Sequence, residues 1–251
     1  MKKITLTLLS VIVTVSMVFA QNFSTSGLTP TKNKTSYFNK SVDATYFITH
    51  SQSQTIVSGN SVSCNSGGLH TDNSFWRVFD LVGDFGINEA IDISSVEVAI
   101  ETAASSGGTQ PISINIYTLS GPFVLANLSL IATKAVTVSD QTNSILSVPI
   151  SAAIPSGSLL VVEVFTPDGQ SSGNSFFIGS NNSGETAPSY ISAASCGIVG
   201  PTTTADLGFP NMQIVLNVNA DSAAALVPLN SWAIVISLLL ISLFVVIRIR
   251  F

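Results

Sequence analysis

The chain has 251 residues, of which 46% are apolar and only 9% are charged, and its formal net charge is −5. All fourteen acidic residues lie between Asp43 and Asp221, where Arg77 and Lys134 are the only basic residues. A segment of that sign repels phosphate backbones, which excludes nucleic acid as a partner and makes hard cations the more natural ligands.

The first 20 residues have the pattern of a secretory signal peptide. Two lysines follow Met1, residues 4–19 are mostly apolar and uncharged, and a small residue, Ala20, ends the stretch. We predict cleavage between Ala20 and Gln21, with an uncleaved first membrane helix as the alternative. Residues 21–41 are polar and show no hydrophobic period, so we expect an extended or disordered lead-in.

Residues 42–221 contain short runs in which apolar and polar residues alternate, separated by Gly, Pro, Ser and Asn. This period of two, typical of strands with one buried and one wet face, is clearest in residues 75–81, 96–101, 112–117 and 214–219. Residues 159–165 are almost continuously apolar and precede a Thr-Pro-Asp-Gly turn, which predicts a central strand covered on both faces. Pro149 and Pro155 place their segments at strand starts or sheet edges.

We therefore predict an all-β fold, since no helical period longer than two turns occurs between the termini. About nine or ten candidate strands exceed the roughly seven strands and 100 residues of an immunoglobulin domain. The prediction is a single β-sandwich of about 180 residues, jelly-roll-like rather than immunoglobulin-like, between an N-terminal signal helix and a C-terminal transmembrane helix.

The two cysteines, Cys64 and Cys196, both lie in the predicted exported domain. Outside the cytoplasm such a pair is most simply a disulfide. The alternative is a reactive thiol, which needs a nearby base, and His50 and His70 are the two histidines of the chain.

An acidic turn follows the strand predicted over residues 75–81. Calcium takes six to eight oxygen ligands from such glycine-containing loops, although the spacing is not that of an EF-hand. The alternative is a solvated turn without a metal, and we predict no other cofactor. The candidate ligands are Asp80, Asp84, Glu89 and Asp92.

The sequence is poor in catalytic patterns, and we predict that the protein is not an enzyme. His70, beside Thr71 and Asp72, is a loose candidate for a general base, and no nucleophile elbow, zinc motif or phosphate loop occurs. A glycosidase-like carboxylate pair stays open as an alternative, because fourteen acids permit many pairs.

Five aromatic residues are candidates for a sugar-stacking platform. Alternation favours a core position for Trp76 instead, and adjacent residues 176 and 177 must point to opposite faces of one strand, so that one of them is exposed. The five are Trp76, Tyr117, Phe176, Phe177 and Tyr190.

Residues 222–251 have the pattern of a membrane anchor. Trp232 precedes an apolar run that ends before Arg248 and Arg250, as expected for an interfacial aromatic and a cytoplasmic charge clamp. The uncharged stretch between Asp221 and Arg248 exceeds the roughly 20 residues needed to span a bilayer. A soluble core helix does not fit, because the apolar residues point in all directions.

The same tail is similar to the C-terminal sorting signals of bacterial envelope proteins that exosortase-like enzymes read, in the form Ile-Pro-Thr-Leu-Ser-Glu-Trp. The segment from Val227 to Trp232 keeps the Pro, the Ser and the Trp of this form, as Pro228, Ser231 and Trp232, although it is one residue shorter and lacks the Glu. The resemblance implies an exosortase-like sorting enzyme and the export machinery as partners. Either the tail is removed or it stays as an anchor.

The domain also resembles a module that recurs in large bacterial secreted and surface proteins. Residues 73–81, 173–181, 186–190 and 196–198 carry this resemblance, which spans roughly residues 60–220 and attaches no activity. Together the patterns predict a non-enzymatic exported protein, with adhesion or binding of carbohydrate or matrix as its role and a secreted hydrolase as the alternative. The predicted location is the outer side of the cytoplasmic membrane, or the cell surface after processing of the tail.

Overall fold

The computed structural model describes residues 44–223. Within them no helix is long and apolar enough to cross a membrane. The predicted signal peptide, most of the predicted anchor, and the residues predicted for cleavage and sorting lie outside this range; those residues are Ala20, Gln21, Val227, Pro228, Trp232, Arg248 and Arg250.

The described chain forms fifteen strands and two short 3-10 helices, Leu125–Asn127 and Ala194–Cys196. The strands are β1 Thr45–Ile48, β2 Asn65–Ser66, β3 Leu69–His70, β4 Asn73–Asp80, β5 Ile91–Ser105, β6 Thr109–Leu119, β7 Leu128–Ser139, β8 Gln141–Ile154, β9 Leu159–Thr166, β10 Asn174–Ile178, β11 Ser180–Asn181, β12 Ser189–Ala193, β13 Ile198–Thr203, β14 Gln213–Ile214 and β15 Leu216–Ser222.

Two antiparallel sheets pack face to face. The six-stranded sheet has the order β13-β12-β4-β9-β6-β7. In the five-stranded sheet, β8 lies along one edge of β5, and β15 and β10 share the other edge, with β1 outside β15. The predicted all-β sandwich is therefore confirmed.

The core lies between the two sheets and follows the alternation read from the sequence. On β6, Ile112, Ile114 and Ile116 are buried, and they face the buried side chains of β5. The central position of β9, between β4 and β6, is also confirmed. Pro149 lies in β8, an edge strand, as its missing backbone donor predicts.

Along one edge of β5 the pairing strand changes at Ala99: β15 pairs with β5 up to Val98, and β10 pairs with it from Ile100 onward. The Gly179 N–H donates to the Ala99 carbonyl at 2.7 Å, and the Ala99 N–H donates to the Val215 carbonyl at 3.1 Å. A Cβ on Gly179 would lie 2.5 Å from the Cβ of Ala99, so the approach requires glycine. Beyond this point β11 and β14 pair with each other.

Arg77 is the largest fully buried side chain, and inside the sandwich it connects β4 to β14 and to the segment that precedes β12. Its guanidinium donates to the carbonyls of Ile214, from Nε at 3.0 Å, and Ala187, from Nη1 at 2.7 Å. Nη1 also lies 2.9 Å from a carboxylate oxygen of Glu185. Burial lowers the pKa of Arg77 to about 10, so the group stays charged at neutral pH.

The predicted disulfide between Cys64 and Cys196 is confirmed, with 6.0 Å between the two Cα atoms. It joins the segment before β2 to the 3-10 turn between β12 and β13. Both cysteines of the chain form this disulfide and neither is a free thiol, so the reactive-thiol alternative is wrong.

Both histidines are buried in structural positions. The His50 ring stacks on Phe79 with 5.1 Å between centroids, and its Nε2 lies 3.0 Å from the Val78 carbonyl. His70 Nε2 lies 3.0 Å from the Pro167 carbonyl. Desolvation by burial lowers the pKa of both imidazoles below their ordinary value.

We expect the two histidines to make the protein less stable in acid. Because the folded-state pKa values are lowered, the unfolded chain binds protons first as the pH falls through about 6.5. Their contribution is therefore fully present above that pH and is lost as the pH falls toward the folded-state values. Urea unfolding between about pH 7.5 and 5.5 measures this loss.

The control for this prediction is a variant that carries His50→Gln and His70→Gln. The stability difference between the wild type and this variant should shrink as the pH falls, which separates the histidines from the carboxylates that titrate in both proteins. A difference that stays constant or grows in acid would contradict the prediction.

Candidate functional site

The face of the six-stranded sheet that points away from the core, called the outer face below, carries a row of large polar and aromatic side chains. Residues directly opposite each other in antiparallel strands point to the same side. The register places five such residues in one row across β12, β4, β9, β6 and β7: Tyr190, Trp76, Glu163, Asn115 and Thr133.

Four rings form an aromatic cluster on the outer face: Trp76, Tyr117, Phe123 and Tyr190. The ring centroid of Trp76 lies 5.9 Å from the centroids of Tyr117 and Phe123. The Phe123 ring contacts Tyr190 edge-on, with 4.9 Å between centroids. Phe123 belongs to the connection between β6 and β7, which folds back over the sheet. Trp76 is only 3% exposed beneath it, whereas both tyrosines are half-buried and reach solvent.

Glu163 lies beside the aromatic cluster and is only 6% exposed. Its carboxylate accepts hydrogen bonds from the Ser74 hydroxyl at 2.6 Å, the Asn115 amide at 2.8 Å and the Tyr117 hydroxyl at 2.7 Å. Burial and the bond to Glu163 raise the pKa of Tyr117, so this hydroxyl stays protonated and donates. The result is a carboxylate held rigidly at the edge of the aromatic rings.

Three of the five aromatic residues predicted for a sugar platform are brought together here, namely Trp76, Tyr117 and Tyr190. Both phenylalanines lie on β10 of the five-stranded sheet. Phe176 is fully buried in the core, and Phe177 is half-buried and pairs with Thr102 of β5. The expectation that these two phenylalanines point to opposite faces is thus met. Trp76 is buried as expected, but in the cluster of the outer face rather than in the main core.

Sequence reasoning missed Phe123 and Glu163 as members of this site. Glu163 carries a visible signal, because it is the one charged residue in the apolar run of β9, and a lone acid in a central strand needs partners. Phe123 lies in a connection without periodicity, and no pattern in the sequence assigns it to a face.

The acidic turn does not gather its carboxylates around one point. Asp80 accepts the backbone N–H groups of the turn, Asp84 lies 3.8 Å from His50 Nε2, and Glu89 accepts the Tyr46 hydroxyl. Asp92 is exposed on β5. In residues 44–223 no group of three or more His, Cys, Asp or Glu is placed to hold a metal ion, and calcium binding at this turn stays a prediction.

His70 and Asp72 do not form a catalytic pair. The Nε2 of His70 faces the Pro167 carbonyl, and the ring is 1% exposed. The Asp72 carboxylate instead accepts the Ser195 hydroxyl at 2.7 Å, beside the disulfide. Both side chains therefore have structural partners.

A cavity of about 330 Å³ lies next to the disulfide, between the Cys64 segment and the β12–β13 connection. Its lining is mostly apolar and includes Ile191, Ile198, Leu207 and Phe209; Ser63 is its one polar side chain, and none of its lining residues is charged. A single serine hydroxyl gives this cavity little with which to orient a polar ligand, so the outer face is the stronger candidate site.

Comparison with protein-family models and with the sequences of curated proteins returned no significant match. Among solved structures, the cysteine protease and lectin-like domains of Cwp84, a surface layer associated protein of Clostridium difficile, match 62% of this chain at 13% identity with a TM-score of 0.44. A structure of infectious bursal disease virus, Gx strain, matches 73% at 14% identity with a TM-score of 0.27. The chain spans 33% and 38% of those chains, respectively.

Proposed function

We propose that this protein is a non-enzymatic, exported bacterial surface protein that binds carbohydrate through the outer face of its six-stranded sheet. The observation that carries this proposal is the pair of half-buried tyrosines, Tyr117 and Tyr190, beside the polar network of Glu163. A sugar ring presents an apolar C–H face with hydroxyl groups at its rim. Aromatic rings with fixed polar groups beside them complement both parts.

The polar groups of the outer face are already in place before any ligand binds. The Asn115 side chain connects Glu163 to Thr133: its NH2 group donates to the Glu163 carboxylate, and its carbonyl oxygen accepts the Thr133 hydroxyl. Asn115 is half-buried and Thr133 is exposed, so both are within reach of ligand hydroxyl groups. Side chains held in advance lose little conformational entropy on binding, which favours affinity.

The predicted layout of the whole chain completes the proposal. We infer removal of the signal peptide before Gln21, and a C-terminal segment around Val227, Pro228 and Trp232 that anchors the chain in the cytoplasmic membrane or is cut by an exosortase-like enzyme. A jelly-roll-like topology is the corresponding proposal for the fold, supported by chain crossings between the sheets from β5 to β6, β7 to β8 and β8 to β9. Mass spectrometry of both mature termini tests the processing.

Retention on insoluble polysaccharides tests carbohydrate binding, with cellulose, chitin and chitosan as the panel. We expect the exported protein to be retained by at least one of them, and Tyr117→Ala and Tyr190→Ala each to weaken retention about tenfold, because each removes a ring that stacks on the sugar. Phe47→Ala is the matched control, since Phe47 is 52% exposed on the other sheet and should leave retention unchanged.

Two outcomes would overturn this proposal. Failure of every polysaccharide to retain the protein would remove carbohydrate binding. Release of soluble sugar from a retained polysaccharide would instead support the alternative, a secreted glycosidase that acts through a carboxylate pair.

A further inference from the structure

We infer that the carbohydrate bound at the outer face carries a positive charge, as in an amino sugar with a free, protonated amine. This inference rests on the proposed function and narrows its ligand class. Three features of the described residues support it: the uncompensated charge of Glu163, the rings around it, and the scarcity of basic residues.

Glu163 is a buried carboxylate whose hydrogen-bond donors are all neutral: a serine hydroxyl, an asparagine amide and a tyrosine hydroxyl. Hydrogen bonds satisfy part of what a buried anion loses on leaving water, but a buried charge is normally also paired with an opposite charge. Four lone-pair positions are present on a carboxylate, and three are used here. One acceptor position is left for a ligand.

Neither basic residue of the described chain compensates Glu163. Arg77 pairs with Val162 of β9, so it points to the core face and binds Glu185 there. Lys134 pairs with the core residue Ile114, which places it on the opposite face of the sheet from Glu163. The positive charge that would balance Glu163 must therefore come from outside residues 44–223.

The rings beside Glu163 are suited to the same kind of group. A cation within about 6 Å of an aromatic face is attracted by the ring quadrupole, most strongly where water is excluded. The Tyr117 ring is anchored to Glu163 through its hydroxyl, and Trp76 lies 5.9 Å from that ring. A protonated amine at this point would meet an aromatic face and a carboxylate at once.

A sugar that bears such an amine fits both the tyrosine rings and Glu163. A pyranose ring places its amine at the rim of an apolar C–H face, so the face can lie on Tyr117 or Tyr190 while the amine turns toward Glu163. The surplus of acidic residues in the domain adds a long-range field that raises the local concentration of cationic ligands.

The test compares two tetrasaccharides that differ only in the amine, the tetramer of glucosamine and the tetramer of N-acetylglucosamine. Calorimetric titration of the full exported protein is carried out in a buffer acidic enough to keep the amine protonated. We expect the glucosamine tetramer to bind about tenfold tighter or better, the effect of an added cation–π contact and charge pair. This comparison uses the wild-type protein and does not depend on the folding of a variant.

A pair of charge-neutralising variants locates the effect. Glu163→Gln should reduce the affinity for the glucosamine tetramer to that for the acetylated one. Glu97→Gln is the matched control, because Glu97 also accepts from two asparagine amides, Asn217 at 3.1 Å and Asn219 at 3.3 Å, but on the outer side of the other sheet. It removes the same unit of charge and should leave both affinities unchanged.

The outcomes separate this inference from the function on which it rests. Equal affinity for the two tetramers, or retention by cellulose alone, would overturn the inference and leave carbohydrate binding in place. Equal losses in Glu163→Gln and Glu97→Gln would overturn it as well, because the effect would then come from total charge. If no tetramer and no polysaccharide binds, the proposed function fails and the inference fails with it.

Discussion

Replacing Arg77 with methionine should lower the free energy of unfolding by about 3–5 kcal/mol, the usual cost of removing one partner of a buried ion pair. Three partners lose their donor at once, since Arg77 binds the carbonyls of Ile214 and Ala187 and the carboxylate of Glu185. Buried carbonyls left without a donor carry the desolvation cost of an unmade hydrogen bond. Denaturant unfolding of the variant and the wild type measures the difference.

Two further variants test the cause of this loss. Lys134→Met removes the other cation of the domain from an exposed position, and it should change stability by no more than about 0.5 kcal/mol. Adding Glu185→Gln to Arg77→Met should recover part of the loss, because the carboxylate left behind becomes neutral. A cost below about 1 kcal/mol for Arg77→Met would rule out a stabilising role for its bonds to β14 and to the segment before β12.

Removing the disulfide is the second change for which we expect a large effect. The cysteines are separated by 132 residues, and the chain-entropy model gives about 5 kcal/mol for closing a loop of that length, with about 2–5 kcal/mol typical of measured losses. We expect a loss in that range for the variant that carries Cys64→Ser and Cys196→Ser. Urea unfolding under non-reducing conditions gives the value.

The two ends of the disulfide should respond differently when it is removed. Cys64 is also held to β4, because its N–H donates to the Asn73 side chain at 2.7 Å and its carbonyl accepts from Thr71 and Asn73. Cys196 lies in an exposed three-residue turn. Hydrogen exchange should therefore rise first in residues 194–197, and an unchanged exchange rate there with faster exchange at Cys64 would contradict this assignment.

The sequence pattern predicted the strands better than it predicted which face each residue takes. The period of two located β4, β5 and β6, and the apolar run over residues 159–165 identified the central strand β9. In β4, however, both faces are apolar, with Phe75 and Phe79 in the core and Trp76 in the cluster of the outer face. Alternation separates the two faces of such a strand, but it does not say which one meets the other sheet.

The members of the outer face are distant in sequence, and this is why only part of the site could be predicted. Tyr190 lies beside Trp76 because β12 pairs with β4, a contact between residues more than 100 positions apart. Phe123 covers the rings through an irregular connection. Long-range strand pairing and loop placement follow from the packing of the whole domain and leave no local pattern.

The position of β15 has a mechanical consequence for the domain. Ser222 is the last residue of β15, its N–H donates to the Ala44 carbonyl at 2.8 Å, and β15 lies between β1 and β5. A pulling force that enters at Ser222 acts along β15, perpendicular to the hydrogen bonds of both neighbouring strands. The load is then shared in shear by two ladders at once, which resists rupture better than peeling one edge strand bond by bond.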